Sequence, residues 1–424
     1  MNRLKRLSRS LLPLLAIAVV GAVWIGQPVL MIAFGVLLLG WLLLTQGGRQ
    51  SLAIAWIGLA TVPERLGATS VVVVGIAGVV GVLVALQAMA TGFEATLAAA
   101  GRDDTVLVLR AGANAELSSA LDRPAATLIA QAPGIARDAR DIPIASAEII
   151  VVASVPKRAT GTDANLEVRG VGPAVWALRP QVRILSGRRF TPGRRELIVG
   201  EGALRQFSGL EIGSRLNLNN QDWRIVGVFA SGDTHASEVW GDAESLMAAY
   251  RRNGFQSVAA RLTAPTSIAP LRTALAADPR LRVDVETTRA YYSKQSERLT
   301  KVIRSIGTGV AVIMALGAVF GALNTMYAAV ANRAREIATL RALGFTGVPV
   351  VVAVMLETMT LALAGGALGA CIAWGVFNGF TVSTLGSNFS QVVFQFQVTP
   401  ELMLHGLQWA LGIGFVGGLF PALR

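Results

Sequence analysis

A single cysteine and two histidines in 424 residues leave little for metal or redox chemistry. Cys371 has no partner for a disulfide within the chain, and with His235 and His405 it cannot make up a His/Cys metal cluster. Lysine is scarce too. None of Lys5, Lys157, Lys294 and Lys301 follows a glycine, so the Gly-Lys-Ser/Thr step that sets a lysine on nucleotide phosphates is missing. The Gly-x-Ser-x-Gly elbow of a serine hydrolase is missing as well. No catalytic residue, metal or cofactor is expected. Charge is also low, at 15% of residues against 53% hydrophobic, with a positive mean hydropathy. One soluble domain rarely has that balance, whereas a membrane protein carrying a soluble domain often does.

What is present in quantity is apolar sequence. Stretches without Asp, Glu, Lys or Arg run over 10–48, 66–93, 305–332, 358–400 and 402–423. A membrane-crossing helix needs roughly 20 mostly apolar residues. Spans are expected at 11–26, 28–45, 69–91, 305–330, 349–375 and 403–421, the first two split by Gly26-Gln27-Pro28. Short-loop arginines set the orientation. Arg3, Lys5, Arg6 and Arg9, then Arg49 and Arg65, then Arg333, Arg335 and Arg341, and finally Arg424 all fall on one side if the N-terminus is cytoplasmic. The loop 378–400 is uncharged apart from its borders, as expected for the far side. The basic start resembles a signal peptide but lacks an Ala-x-Ala exit, so an uncleaved anchor is expected. Net charge is +12 and the isoelectric point about 11.0. The arginines beside the spans account for much of that, so nucleic-acid binding is not expected.

The fold class expected is an α-helical integral membrane bundle, a four-span core plus an N-terminal hairpin, with an α+β domain inserted between spans three and four. Residues 1–48 form the hairpin, 49–68 an interfacial helix or a short buried one, 69–91 a span, and 92–304 the insert. In the insert, 95–163 and 251–287 read as an α/β part and 164–250 as a strand-rich part. Strands are expected at 105–110, 148–155, 196–199, 215–219, 223–229, 257–262 and 281–285. Helices are expected at 116–131, 242–251 and 267–277, with a turn at Asn219-Asn220. Gly92–Leu97 extends span three as a stalk, and Thr288–Arg304 runs into span four. Ser231, Asp233, His235, Ser237 and Glu238 read as a solvated polar loop. Arg188-Arg189 and Arg194-Arg195 read as a solvated turn or as a docking patch for lipid headgroups or a partner.

Inside the apolar runs, Gly317-x-x-x-Gly321, Gly365-x-x-x-Gly369 and Gly414-x-x-x-Gly418 permit close helix packing. Glu357 lies in span five. With no second acid or histidine in a span to form a relay, structural pairing near the cytoplasmic surface is expected rather than ion transport. The connection before that span is a charged helix pattern, not a flexible loop. Ile337, Leu340 and Leu343 recur at three-residue spacing, and Arg333, Arg335, Glu336 and Arg341 supply the polar remainder. Gly344 stands where a helix C-cap belongs.

The layout and the segment Arg333-x-Arg-Glu-Ile-x-x-Leu-Arg-Ala-Leu-Gly-Phe345 resemble the MacB/FtsX-like permeases of bacterial ATP-binding-cassette (ABC) systems, type VII transporters that include the lipoprotein-releasing permeases. Glu357, Gly365-Gly366 with Gly369, and Gly417-Gly418-Leu-Phe-Pro-Ala-Leu-Arg424 match the same pattern. So do Gly187–Phe190, Arg195–Gly200 and Trp223–Phe229 in the insert. The resemblance covers about 50–424. It implies a non-catalytic permease in the bacterial inner membrane with a periplasmic core domain, moved by ATP hydrolysis in a separate ATPase subunit that binds the ATP. Coupling would pass through Arg335, Glu336, Thr339, Leu340, Arg341, Leu343, Gly344 and Phe345 of the 333–345 helix. Implied partners are that ATPase, a second permease chain (a homodimer, or a heterodimer as runner-up), and a periplasmic adaptor with an outer-membrane component. Efflux or extraction of a periplasmic or membrane-derived substrate is one reading. A non-transporting regulator of a cell-wall hydrolase or a sensor is the alternative. The 11–45 hairpin stands outside the four-span core, and the C-terminus stops where relatives continue into a short tail, so that end is expected to be incomplete.

Overall fold

Thr45 joins two helices, α1 (Pro28–Leu44) and α2 (Gln46–Ala60), in a sharp corner. Its hydroxyl accepts from Gly48 N at 2.9 Å and donates to Trp41 O at 2.8 Å, so one side chain caps the new helix and ties down the old one. Only a glycine fits at 48, because a Cβ there would lie 2.5 Å from Leu42 Cα. The chain is described here in a computed structural model covering residues 28–342, 347–386 and 388–423. The first half of the expected N-terminal hairpin, 11–26, falls outside those residues.

The chain divides into two units. The first holds 1–90, 302–380 and 396–424. It contains α1, α2, a 3-10 turn at Val62–Arg65, and four helices long and apolar enough to cross a membrane: α3 (Leu66–Ala100), α9 (Thr288–Asn332), α11 (Gly347–Phe377) and α12 (Pro400–Leu423). Between α9 and α11 lies the short α10 (Ala334–Ala342). The glycine-rich faces let backbones meet. A Cβ on Gly365 would lie 2.7 Å from Val73 O, and one on Gly369 would overlap Ala77 O, which sets α11 against α3. On its other side α11 meets α12, where Gly414 abuts Ala362 and Gly418 abuts Thr358. Gly317 and Gly321 on α9 have nothing within 4 Å of such an added carbon. α2 buries Ile54 and Ala55 against Val350 and Ala353 of α11, while Trp56 stays 74% exposed.

The second unit holds 91–301 and 381–395. Its strands are β1 (Thr105–Arg110), β2 (Leu121–Asp122), β3 (Ala145–Pro156), β4 (Asp163–Val171), β5 (Arg183–Gly187), β6 (Glu196–Gly200), β7 (Arg215–Leu218), β8 (Gln221–Ala230), β9 (Val239–Asp242), β10 (Gly254–Phe255), β11 (Ser257–Arg261) and β12 (Val283–Thr287). Ten of them form one mixed sheet, β12-β1-β11-β3-β4-β9-β6-β8-β5 with β7 on β8. The β4–β9 and β6–β8 pairs are parallel and the others antiparallel. β7 and β8 are closed by Asn219 and Asn220 at φ 47° and 60°, the left-handed pair that a two-residue hairpin turn requires. Helices α4 (Arg123–Ala130), α5 (Val175–Leu178), α6 (Glu201–Gln206), α7 (Ala243–Ala249) and α8 (Ile268–Ala277) complete this part. A core including Ile149, Leu166, Phe207 and Trp223 lies against the sheet, and a smaller cluster around Phe229 and Trp240 adjoins it.

Two sequence expectations need correction. The helix expected over 116–131 is a 3-10 turn at Glu116–Ser118, then β2, then α4. Asp122 caps α4 by accepting from Ala125 N at 2.7 Å and Pro124 occupies the first turn, so the helix starts there and not earlier. The run 231–238 is not a solvated loop. Asp233, His235 and Ser237 are each at most 3% exposed, because Asp233 pairs with His235 Nδ1 at 2.9 Å and Glu238 pairs with Arg169. By contrast Arg188, Arg189, Arg194 and Arg195 are exposed, Arg188 gripping Glu196 and Arg189 lying 4.0 Å over the Trp176 ring.

Candidate functional site

The last turn of α9 passes through Arg333, whose amide still bonds back to Ala329 O and Val330 O, and the chain then turns into α10. Nine residues make a helix too short to be stable alone, so its position depends on what holds its base. Arg333 does this. Its Nε donates to Glu336 at 3.1 Å in the first turn of α10, and its Nη1 donates to Glu357 Oε2 at 3.1 Å. The other oxygen of Glu357 accepts from Arg65 Nη2 at 3.3 Å. Arg65 also reaches Thr61 Oγ1 at 2.8 Å and Gly58 O at 3.4 Å.

A single carboxylate thus ties together α11, the base of α10 and the turn after α2. The site is mostly closed to solvent: the side chains of Glu357, Arg333 and Arg65 are 6%, 17% and 24% exposed. Glu357 lies ten residues into α11, about 15 Å along the helix axis at 1.5 Å per residue. An ionised acid at that depth needs partners, and two arginines supply them from opposite sides. Gly58 makes room. A Cβ there would sit 2.6 Å from Glu357 Oε2 and 2.9 Å from Arg333 Nη1. The cleft beside the pair, bordered by Ile54, Val350 and Ala353, has a volume of about 20 Å³, space for roughly one water.

Arg335, Glu336, Thr339 and Arg341 of α10 are exposed. Leu340 lies in α10, and Leu343, Gly344 and Phe345 fall outside the described residues. Neither Gly58 nor Arg65 is marked as a site residue by the sequence. The signal for Arg65 is indirect: a lone acid in a span demands a cation from a neighbouring loop, and Arg49, Arg65 and Arg333 are the candidates. Nothing in the sequence singles out Gly58.

Comparisons with known proteins were made against this geometry. The family profile described as MacB-like periplasmic core domain matches residues 66–278, and the one described as FtsX-like permease C-terminal matches 308–424. The chain is similar to the macrolide export ATP-binding/permease protein MacB 2 of Yersinia pestis bv. Antiqua, 30% identical over 115 residues, covering 27% of this chain and 16% of that protein. It is 22% identical over 281 residues to the macrolide export ATP-binding/permease protein MacB of Burkholderia thailandensis, covering 61% of this chain and 41% of the relative. The chain therefore spans less than half the length of either protein. The crystal structure of the periplasmic region of MacB from Actinobacillus actinomycetemcomitans aligns with a TM-score of 0.35 at 9% identity, over 45% of this chain and 92% of that one.

Proposed function

The chain belongs to the ABC transporter permeases that combine a MacB-like periplasmic core domain with an FtsX-like permease region, and from that membership we propose that it is a permease subunit driven by a separate ATPase. The observation that carries this reading is the Glu357 clamp. A push on the exposed face of α10 arrives at Arg333, and Arg333 is held by the carboxylate that also holds α11 and Arg65. Closure of two ATP-loaded partner subunits would tilt the membrane helices through that joint. α3 and α9, which contribute residues to both units, would carry the motion to the periplasmic domain.

The substrate need not cross the bundle. It would be a periplasmic or membrane-derived molecule, moved by efflux or extraction with the help of a periplasmic adaptor and an outer-membrane component. This reading places the protein in the inner membrane with its N-terminus cytoplasmic. Leu340 would enter a groove on the ATPase, with Leu343 and Phe345 beside it and Arg335, Glu336 and Arg341 at the rim. Replacing a buried contact at the centre of an interface typically costs 2 kcal/mol or more. The Leu340→Asp variant is therefore expected to lose transport-linked ATP hydrolysis by about tenfold or more, while inserting normally. The assay is ATPase activity of the co-purified complex in lipid nanodiscs. Unchanged hydrolysis in that variant would remove the coupling role.

Two permease copies are proposed per ATPase pair. α9 is the least buried of the four membrane-length helices, and Ile313, Leu316 and Phe320 on it are exposed beside the open Gly317 and Gly321. The other two glycine pairs are already occupied within the chain. Native mass measurement should give two permeases, and Gly317→Leu should shift the population toward one. A single permease per ATPase pair in the unaltered protein would contradict the dimer.

A further inference from the structure

At the centre of the second unit Arg169 projects from β4 into a buried group of acids. Its Nε donates to Glu238 Oε2 at 2.8 Å, its Nη1 to Glu116 at 2.9 Å and Glu148 at 3.0 Å, and its Nη2 to Glu167 Oε1 at 2.7 Å. Arg179, just past α5, grips Glu148 with both nitrogens at 2.6 and 2.9 Å. Two arginines thus face four glutamates, and all six side chains are at most 10% exposed. The acids outnumber their cations in a low-dielectric site, so the group has a strong reason to retain a proton.

Over this group lies a separate two-stranded element, β13 (Thr381–Leu385) and β14 (Gln391–Gln395), which connects α11 to α12 in the chain. It belongs to the second unit, yet among the described residues no ladder joins it to the ten-stranded sheet. Side chains hold it instead. Ser390 Oγ donates to Glu167 Oε2 at 2.8 Å, and Asn388 Nδ2 donates to the same oxygen at 3.2 Å. Asn388 Oδ1 accepts from Leu117 N at 3.3 Å, and Val393 N donates to Ser237 Oγ at 2.8 Å. Asn388 and Ser390 are 7% and 2% exposed, so both polar tips are committed to this seat.

We propose that the 381–395 hairpin is a releasable strap, seated when Glu167 carries a proton and lifted when Glu167 is ionised. The seated strap shuts water away from the Glu167 carboxyl. Burial, then the charges of Glu238 and Glu116, push that group up to about 7 against the pull of Arg169. The hydrogen bond from Ser390 works the other way but is the smallest of these effects. Glu148, equally buried, is held down at about 2 because Arg179 and Arg169 outweigh its burial, and Glu238 is likewise held down by Arg169. The remaining charged or titratable groups around the site are Asp233 and His235 from the 234–237 turn and Tyr291 and Tyr292 from α9. Asp233 is held low by His235 despite its burial.

When the strap lifts, water reaches Glu167 and the largest upward effect disappears. The seated form therefore binds the proton more tightly than the lifted one. By linkage, seating is favoured at low pH and lost as pH rises through about 7. Ser390 suits either state, since its hydroxyl donates to a carboxylate and accepts from an acid. This inference does not depend on the ATPase-coupling reading, and its test needs no ATPase.

The experiment is hydrogen exchange of the full chain in detergent, followed at the peptide containing Val393 and corrected for the intrinsic rate at each pH. A lone hairpin is at best marginally stable in water, so lifting exposes its amides. Protection of Val393 is expected to be about tenfold greater at pH 6 than at pH 8, from a group near 7 when seated and near its ordinary value when free. Glu167→Gln, which cannot ionise, should be protected at both values. Ser390→Ala leaves every charge in place and should lower protection at both values while keeping the pH dependence. Equal protection of the unaltered chain at pH 6 and 8, or a pH dependence that survives in Glu167→Gln, would overturn the proposal. Joint loss of protection in β8 would also overturn it, because that marks unfolding of the unit and not release of a strap.

Discussion

Replacing Arg169 by Ala is expected to leave the second unit unfolded at neutral pH. Breaking a buried ion pair by deleting one partner costs about 3–5 kcal/mol, and Arg169 serves four carboxylates. A domain holds only about 5–15 kcal/mol in total. Arg169→Lys should fare little better. An ammonium has three donors on one point, whereas the guanidinium here contacts Glu116, Glu148, Glu167 and Glu238 in different directions. The pH response identifies the cause. In the unaltered chain Glu148 is held down at about 2, so it contributes stability above its ordinary range that is lost as pH falls toward 2. Without Arg169 the other glutamates lose their cation and burial raises them, which reverses the sign: stability is then greatest at low pH and lost as pH rises. Thermal unfolding of the full chain, read by the near-ultraviolet signal of the buried Trp223 and Trp240, should show the variant more ordered at pH 5 than at pH 8. A melting point at pH 7.5 equal to that of the unaltered chain would show that the cluster is not the keystone described here.

What could be read in the sequence was what local chemistry decides. Asn219-Asn220 marks a turn wherever it stands between two apolar runs, and β7–β8 closes there. Gly92–Leu97 and Thr288–Arg304 carry no breaker, so α3 and α9 run through them unbroken. β4 was harder, because Glu167 and Arg169 interrupt its apolar pattern. A charge in a strand reads the same whether it faces water or a buried partner. Asp233 and His235 misled for that reason. The strap was also hidden. Val382 and Thr384 alternate as a short strand does, but nothing in 378–400 points to Glu167, more than 200 positions away. The clamp is equally non-local: Arg65 and Glu357 are 292 residues apart, and the cause of their pairing is the glycine packing that sets α11 against its neighbours.

Replacing Glu357 by Ala is expected to release the base of α10 from the membrane helices. Each carboxylate oxygen holds one arginine, so the substitution leaves two cations facing each other in a largely closed site. Deleting a buried partner costs about 3–5 kcal/mol, and the lower end applies because Arg65 and Arg333 still reach solvent in part. Glu357→Gln separates charge from packing: it keeps the shape beside Gly58 but loses the ionic attraction. If the clamp acts as a joint, both variants should uncouple ATP hydrolysis from transport while α10 still binds the ATPase. Arg65 provides the internal control, since it touches Glu357 but does not contact α10 through any hydrogen bond found here. In a double-mutant cycle of Arg65→Ala with Glu357→Ala, two residues in direct contact should show an interaction energy of about 0.5–3 kcal/mol in thermal unfolding of the full chain. The same pair should be non-additive in coupled ATPase activity, because once Glu357 is gone Arg65 has nothing left to transmit. Strict additivity in both measurements would mean that the two side chains act independently, and the joint between α10 and the membrane helices would have to be sought elsewhere.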